Sequence, residues 1–263
     1  VTLRGLPSGQ GPGWPLWRAD PAWKCLDFVS DLHLCSRMPR TFDAFADYLA
    51  RTPADAVIIL GDLFEVWVGD DVERDDFLTR CIDLLASPSR RHHLAFMPGN
   101  RDFLLGDTML AACRMQGLSD PTLLSAWRRP VLLSHGDALC LDDLPYQAFR
   151  ETVRSAAWQQ AFLGLPLAER VRQARAMREH SEARQRSDPT SVDADEAACL
   201  NWLRSVDATD LVHGHTHRTA DQCLAPGLCR HVLTDWDLDD PLRPRAGVLR
   251  LTADGFHRLP HAS

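Results

Sequence analysis

Lysine is nearly missing from this chain. Lys24 is the only one among 29 basic residues, and arginine supplies the rest. The bias fits the codon usage of a GC-rich genome, but it also has a chemical consequence. A Gly-x-x-x-x-Gly-Lys-Ser/Thr phosphate loop cannot be built, which removes P-loop and kinase chemistry. Paired thiols are missing as well. The eight cysteines, at positions 25, 35, 81, 113, 140, 199, 223 and 229, show no Cys-x-x-Cys spacing, so neither a zinc ribbon nor a redox dithiol is expected. They read as reduced thiols of a cytoplasm. There is no surplus of positive charge: the formal net charge is −7, opposite to the basic footprint of a general nucleic-acid binder, and no nucleic-acid partner is expected. Nor is there a long apolar run. The uncharged stretch from Ser155 to Ala168 is broken by Gln159, Gln160, Gly164 and Pro166, and falls short of the ~20 residues a spanning helix needs. Val1 to Asp20, rich in Gly, Pro and Trp, lacks the continuous apolar core of a signal peptide, and residues 1–22 read as a flexible extension.

What remains is an ordinary globular composition, 45% apolar and 25% charged, on enough chain for one large domain carrying an insertion. Five short apolar runs recur, at Leu26 to Ser30, Ala56 to Gly61, His93 to Met97, Val131 to His135 and Thr209 to His213; most are rich in Val, Ile, Leu or Phe, as buried strands are. Helical spacing separates the early ones. Phe42, Phe45 and Leu49 share a face of Thr41 to Arg51, as do Phe77, Cys81, Leu84 and Leu85 within Val72 to Ala86. Strand, helix, strand predicts an α/β layered fold.

From Leu139 to about Arg204 the strands stop. Three helices are expected there, Pro145 to Phe162, Pro166 to Gln185 and Asp193 to Arg204, with Pro145 and Pro166 where helix-starting prolines belong. Eight arginines between Arg150 and Arg186 are interleaved with Val153, Trp158, Phe162, Leu163, Leu167, Val171 and Met177. Two readings fit. One is a solvated insertion with charged outer faces; the other is a cap that offers cations to an anionic substrate and an apolar face to something greasy. The expected layout is a core of 23–138 and 206–263 with a helical cap at 139–205.

Residues able to hold a metal stand at the ends of the predicted strands: Asp31 and His33, Asp62, Asn100 through Asp102, His135 and Asp137, then His215 and His217. Ligands of open α/β sheets gather outside the carboxyl ends of strands, so these segments should converge. Each is weak alone, since Gly-Asp is a common turn and a lone histidine is usually structural. Five such clusters at five strand ends are hard to obtain by chance. Asp31 and His33, two apart in an extended segment, point to one side, as do His215 and His217. Imidazole with carboxylate and amide oxygen, and no thiolate, suits Mn, Fe, Zn or Co. The ligands are too many for one ion and suit two, roughly 3.5–4 Å apart and bridged by a carboxylate.

The set Asp31-x-His33, Gly61-Asp62, Gly99-Asn100-Arg101-Asp102, His135 and Gly214-His215-x-His217 resembles the motifs of the calcineurin-like metallophosphoesterases over nearly the whole chain after the extension. Longer strings, Phe28 to Leu34, Gly61 to Glu65 with Trp67, Gly69-Asp70-Asp71, Gly99 to Leu104, Tyr146 to Arg150 and His213 to Arg218, are similar to the branch acting on UDP-2,3-diacylglucosamine in lipid A synthesis.

The resemblance implies a four-layer α-β-β-α sandwich with a helical cap insertion. It implies two divalent metal ions, Mn2+ in this family, with Asp31, His33 and His217 on the first, Asn100, His135 and His215 on the second, and Asp62 bridging. Asn100 and Arg101 would be catalytic, and Asn100, Arg101, Asp143, Ser181, Gln185 and His215 would touch substrate. Arg101 stands where many members carry histidine; a guanidinium meets phosphate bidentately and keeps its charge at any working pH. Where other members have a cap lysine this chain has Asp188, so Arg184 or Arg186 is expected to substitute. The implied reaction is a two-metal hydrolysis of the pyrophosphate bond, giving UMP and 2,3-diacylglucosamine 1-phosphate. Trp158, Phe162, Leu163, Leu165 and Leu167 either line an acyl groove or pack the cap interior. A lipid substrate implies a cytoplasmic protein peripheral on the inner face of a bacterial inner membrane, with Arg170, Arg172, Arg175 and Arg178 expected to favour anionic headgroups. Alternatives are a metallophosphoesterase of a soluble nucleotide or other phosphodiester, and a non-enzymatic scaffold; the full ligand set opposes the latter.

Overall fold

Elements follow the apolar pattern closely in the computed structural model, which describes residues 13–87, 91–187 and 193–260, with side chains described except at 179–187 and 260. The first half runs β1 (Leu16–Arg18), β2 (Cys25–Val29), α1 (Pro39–Arg51), β3 (Ala56–Leu60), α2 (Asp76–Ala86), β4 (His93–Met97), α3 (Asp107–Ala112), β5 (Gln116–Gly117), β6 (Thr122–Ala126) and β7 (Arg129–Leu133). The second half runs α4 (Leu144–Val153), α5 (Ala156–Leu163), α6 (Leu167–Ser187), α7 (Glu196–Ser205), β8 (Asp210–His213), β9 (Ala220–Ala225), β10 (Leu228–Val232), β11 (Gly247–Thr252) and β12 (Gly255–Pro260).

The strands form two six-stranded sheets, ordered β12-β11-β2-β3-β4-β5 and β1-β6-β7-β8-β10-β9. Successive side chains of a strand point to opposite faces, and both faces here are apolar. Leu26, Phe28, Ile58, Leu60 and Met97 turn inward against Leu124, Val131, Leu133 and Val212 of the facing sheet. Val29, Val57, Ile59 and Phe96 turn outward and are covered by Phe42, Phe45 and Leu49 of α1 and Leu78, Cys81 and Leu85 of α2. On the far side, Leu132 and Leu211 are covered by Cys199 and Leu203 of α7. Helix, sheet, sheet, helix is therefore the order of layers.

Three expectations change. The helix expected over Pro145 to Phe162 is two, α4 and α5, because Ser155 Oγ accepts from the Trp158 amide and caps a new start. The last helix of the expected cap, α7, covers a sheet face instead; helical spacing shows that a face is apolar but not which layer it meets. Finally, residues 16–18 of the expected extension are an edge strand, β1, parallel to β6. Trp14 against Trp202 and Trp17 against Trp23 fasten that segment. Residues 1–12 lie outside the described residues.

Candidate metal centre

All five ligand-bearing segments meet at one end of the sandwich, three from the sheet of β2, β3 and β4 and two from the sheet of β7 and β8. Each strand stops two or three residues before its first candidate ligand, so that residue sits in the turn that leaves the strand. The backbone is bent for the purpose. Asp31, His33, Asp62, His215 and His217 all have positive φ, between 48° and 66°, a conformation costing non-glycine residues on the order of 1 kcal/mol each. Two glycines make room: a Cβ on Gly99 would collide with the Asp62 carboxylate, and one on Gly214 with Asp31 and Ser30.

Hydrogen bonds lock these turns. Asp102, fully buried, accepts from the amides of Leu63 at 2.7 Å and Gly99 at 2.8 Å, and more loosely from Asp62 and Phe64, joining the Asp62 turn to the Asn100 turn. Burial and the Asp62 charge push its carboxyl up to about 6. Asp31 Oδ2 accepts from Ser30 Oγ at 2.5 Å and the His215 amide at 2.9 Å. Asp62 Oδ1 accepts from the Arg101 amide at 2.8 Å.

What is left over are lone pairs pointing inward. Asp31, His33 and His217 bring ligand atoms within 4.8 Å of one another, and so do Asp31, Asp62 and His135. Asp62 stands between two imidazoles, Oδ2 4.0 Å from His33 Nε2 and Oδ1 3.7 Å from His135 Nε2. Asn100 Oδ1 is 2.8 Å from both His135 Nε2 and His215 Nδ1. Asp31 Oδ1 is buried with no hydrogen bond, 3.4 Å from His217 Nε2. A buried carboxylate oxygen left without a donor, amid imidazoles and an amide oxygen, fits a divalent cation.

Electrostatics divide the histidines. Burial opposes charge on His135, but Asp62, Asp31 and Asp137 outweigh it and push that imidazole up to about 9. Burial and the charge of His135 push His215 down to about 4. For Asp31 burial acts upward, yet His217, His135 and His33 hold the carboxyl well below the usual range.

The cap supplies the roof. Asn100 and Arg101 line a cavity of about 560 Å³ together with Trp67, Tyr146, Trp158, Phe162 and Met177. Arg154 reaches from the end of α4 to the Gly99 carbonyl at 2.9 Å, and Tyr146 stacks on His215 with ring centres 5.9 Å apart. Arg170 is buried and forked on Asp71, with Nη1 donating to Oδ1 at 2.8 Å and Nη2 to Oδ2, and it also donates to the Leu165 carbonyl. Of the apolar cap residues, Trp158 and Phe162 line this cavity, while Leu165 and Leu167 pack on the core.

One expected headgroup contact is corrected: Arg170 is buried and forked on Asp71, so its guanidinium does not face solvent, whereas Arg178, paired with Glu65, keeps part of its side chain exposed. Asp143 caps α4 by accepting from the Tyr146 amide at 3.0 Å. The side chains of Ser181, Gln185, Arg184 and Arg186 and all of Asp188 lie outside the described residues. The motifs do not reveal Glu65 and Asp235, whose carboxylates face the second nitrogens of His33 and His217. Glu65 closes the string Gly61 to Glu65 that carries part of the family resemblance, though without an assigned role.

The profile of the calcineurin-like phosphoesterase family matches residues 26–219, and the chain belongs to that family, a metal-dependent hydrolase of the α/β sandwich kind. Its relatives narrow the branch. It is 44% identical over 223 residues to the UDP-2,3-diacylglucosamine hydrolase of Aromatoleum aromaticum, covering 81% of this chain and 90% of that protein. It is 42% identical over 239 residues to the protein of the same name from Chromobacterium violaceum, covering 89% and 98%.

Proposed function

We propose that this chain hydrolyses the pyrophosphate bond of UDP-2,3-diacylglucosamine, releasing UMP and 2,3-diacylglucosamine 1-phosphate, and that it does so on the inner face of a bacterial inner membrane. The observation that carries the reading is the junction of two surfaces: the cluster of lone-pair donors opens, at Asn100 and Arg101, directly into an apolar cavity under the cap. The Trp158 and Phe162 wall suits an acyl chain, which a soluble nucleotide lacks.

Asp31, His33 and His217 would hold one divalent cation and Asn100, His135 and His215 a second, with Asp62 between them. We assign Mn2+, which the oxygen and imidazole donors accept. When bound, such a pair lowers the pKa of water and neutralises phosphoryl charge. The Arg101 guanidinium, at the cavity mouth, meets the diphosphate oxygens and keeps its charge as negative charge builds in the transition state. Tyr146, stacked on His215 and donating to Asp137 Oδ2 at 2.6 Å, fixes that imidazole's plane. Asp143, Ser181 and Gln185 remain the proposed substrate contacts of the cap. Water adds to the phosphorus bearing uridine, and the bond from that phosphorus to the bridging oxygen breaks.

Membrane contact is assigned to the cap. No helix among the described residues is long and apolar enough to cross a membrane. Leu144, Phe149, Leu163 and Val171 are exposed apolar side chains on α4, α5 and α6, and Phe149 also lines the cavity. These side chains, more than the arginines, form the surface suited to lipid.

The test is phosphorus NMR of UDP-2,3-diacylglucosamine with chelator-stripped protein, with and without Mn2+, in water enriched in heavy oxygen. Label in UMP only when Mn2+ is restored is the expected result. Intact lipid substrate while a soluble phosphodiester is cleaved would overturn the lipid assignment.

A further inference from the structure

The imidazoles of the centre are not held alike. His33 Nδ1, buried and without a hydrogen bond, faces the Glu65 Oε2 carboxylate oxygen at 3.3 Å, and the other oxygen of Glu65 is 2.6 Å from Arg178 Nη1. His217 Nδ1 lies 3.4 Å from Asp235 Oδ2, which accepts from Arg245 Nε at 2.7 Å. Both carboxylates are largely buried, their side chains 12% and 5% exposed. Across the site, His135 Nδ1 meets only a backbone carbonyl, that of Leu60, at 2.9 Å. So each imidazole on the Asp31 side is backed by a carboxylate that is itself gripped by an arginine.

The group that faces one nitrogen of an imidazole decides what the other can do. A carboxylate at Nδ1 keeps the proton there, leaves the Nε2 lone pair for a cation and raises its basicity. The two backings differ in origin. Arg245 belongs to the core segment leading into β11, whereas Arg178 belongs to α6 of the cap. Glu65 and Arg178 also line the cavity together.

We propose that Glu65 is a positioning residue linking the cap to the cation site: it holds His33 with Nε2 free for a divalent cation, and Arg178 holds Glu65 in that pose. Docking of α6 then tightens cation binding at the Asp31, His33 and His217 position. By linkage, an occupant of the cavity that steadies α6 and a cation at this position each strengthen the other. The inference rests on those three residues being cation ligands.

Calorimetric titration of Mn2+ into the chelator-stripped full chain tests it, with thermal melting of each stripped variant alongside. Glu65→Gln is expected to weaken one of two cations by ~10–100-fold, leave the other unchanged and leave the melting midpoint of the stripped protein in place. Arg178→Gln is expected to weaken the same cation by a smaller factor, and the double variant to bind no more weakly than Glu65→Gln alone. Asp235→Asn should also weaken that cation, but additively with Arg178→Gln. Wild-type affinity for both cations in Glu65→Gln overturns the proposal, as does additivity between Glu65 and Arg178. His33→Ala separates the two levels: if it still binds both cations as the wild type does, the ligand assignment itself fails and the proposal falls with it.

Discussion

The core and the cap hold their shape by different means. In the core, both faces of each central strand are apolar, the two sheets share one buried layer, and the ligand turns are tied by Asp102 and Asp31 to backbone amides. The cap, α4 to α6, rests on a patch around Trp67, Phe162 and Leu165 and on arginines that reach the core, Arg150 to Asp137, Arg154 to Gly99, Arg170 to Asp71 and Arg178 to Glu65. On the proposed function the difference separates chemistry from selection: a rigid frame would fix the reacting groups, while the cap would carry the walls that touch the variable part of a substrate.

The sharpest way to break that division is at Asp62. Asp62→Asn keeps the side chain's volume but removes the charge between His33 and His135. Hydrolysis of lipid and soluble substrates alike is expected to fall on the order of 10³-fold or more, with the circular dichroism spectrum unchanged. Loss of only one activity would show that the core does not serve both.

Next is the stability of the frame. Asp27, fully buried, receives Arg250 Nε and Nη2 at 2.7 Å each, with Tyr48 and Thr52 hydroxyls donating as well. Asp27→Asn leaves Arg250 without its counter-charge and is expected to cost about 3 kcal/mol in urea unfolding. Activity per folded molecule should not change.

Arg170→Met makes the matching cut in the cap. It strips donors from Asp71 and the Leu165 carbonyl and is expected to cost about 1–2 kcal/mol, felt locally. Hydrogen exchange should quicken across 144–178 while β2, β3 and β4 keep their protection. Equal quickening of those strands would mean that cap and core open as one unit.

The smallest effect is in pH. For Asp210 burial acts upward, but hydrogen bonds from His231 and Thr209 outweigh it and hold the carboxyl below its ordinary value. Below about pH 4 the unfolded chain then binds the proton more readily than the folded one, so this stabilisation is present above the ordinary carboxylate pKa and is lost as pH falls. Asp210→Asn should flatten the acid limb of the stability curve by roughly 1 kcal/mol at most. An unchanged limb would assign the acid sensitivity elsewhere.

Much of this is legible in the amino-acid sequence. Short continuous apolar runs rich in β-branched residues, such as Val57 to Leu60, fit strands buried on both faces, and a candidate ligand past the end of each points to a shared site. The four-layer order came through family resemblance, since periodicity alone gives faces and not partners; α7 shows the gap, having the spacing of a cap helix and the position of a core one. Short edge pairing at Leu16–Arg18 carries too few residues to stand out from a Gly- and Pro-rich segment. Glu65, Asp235 and Arg170 were opaque for another reason. A lone acidic or basic residue in a turn or helix is ordinary in sequence, and its role appears only when the chain brings it within reach of an imidazole or a carboxylate.

The most direct test of the division between core chemistry and cap selection is the ratio of kcat/KM for UDP-2,3-diacylglucosamine to that for a soluble phosphodiester, measured in wild type and Trp158→Ala with Mn2+ supplied. Losing a half-buried aromatic wall that an acyl chain would cover, worth about 1.5–3 kcal/mol, should lower the lipid value ~10–100-fold and leave the diester value alone. A parallel fall in both, or no change in the ratio, would contradict the account.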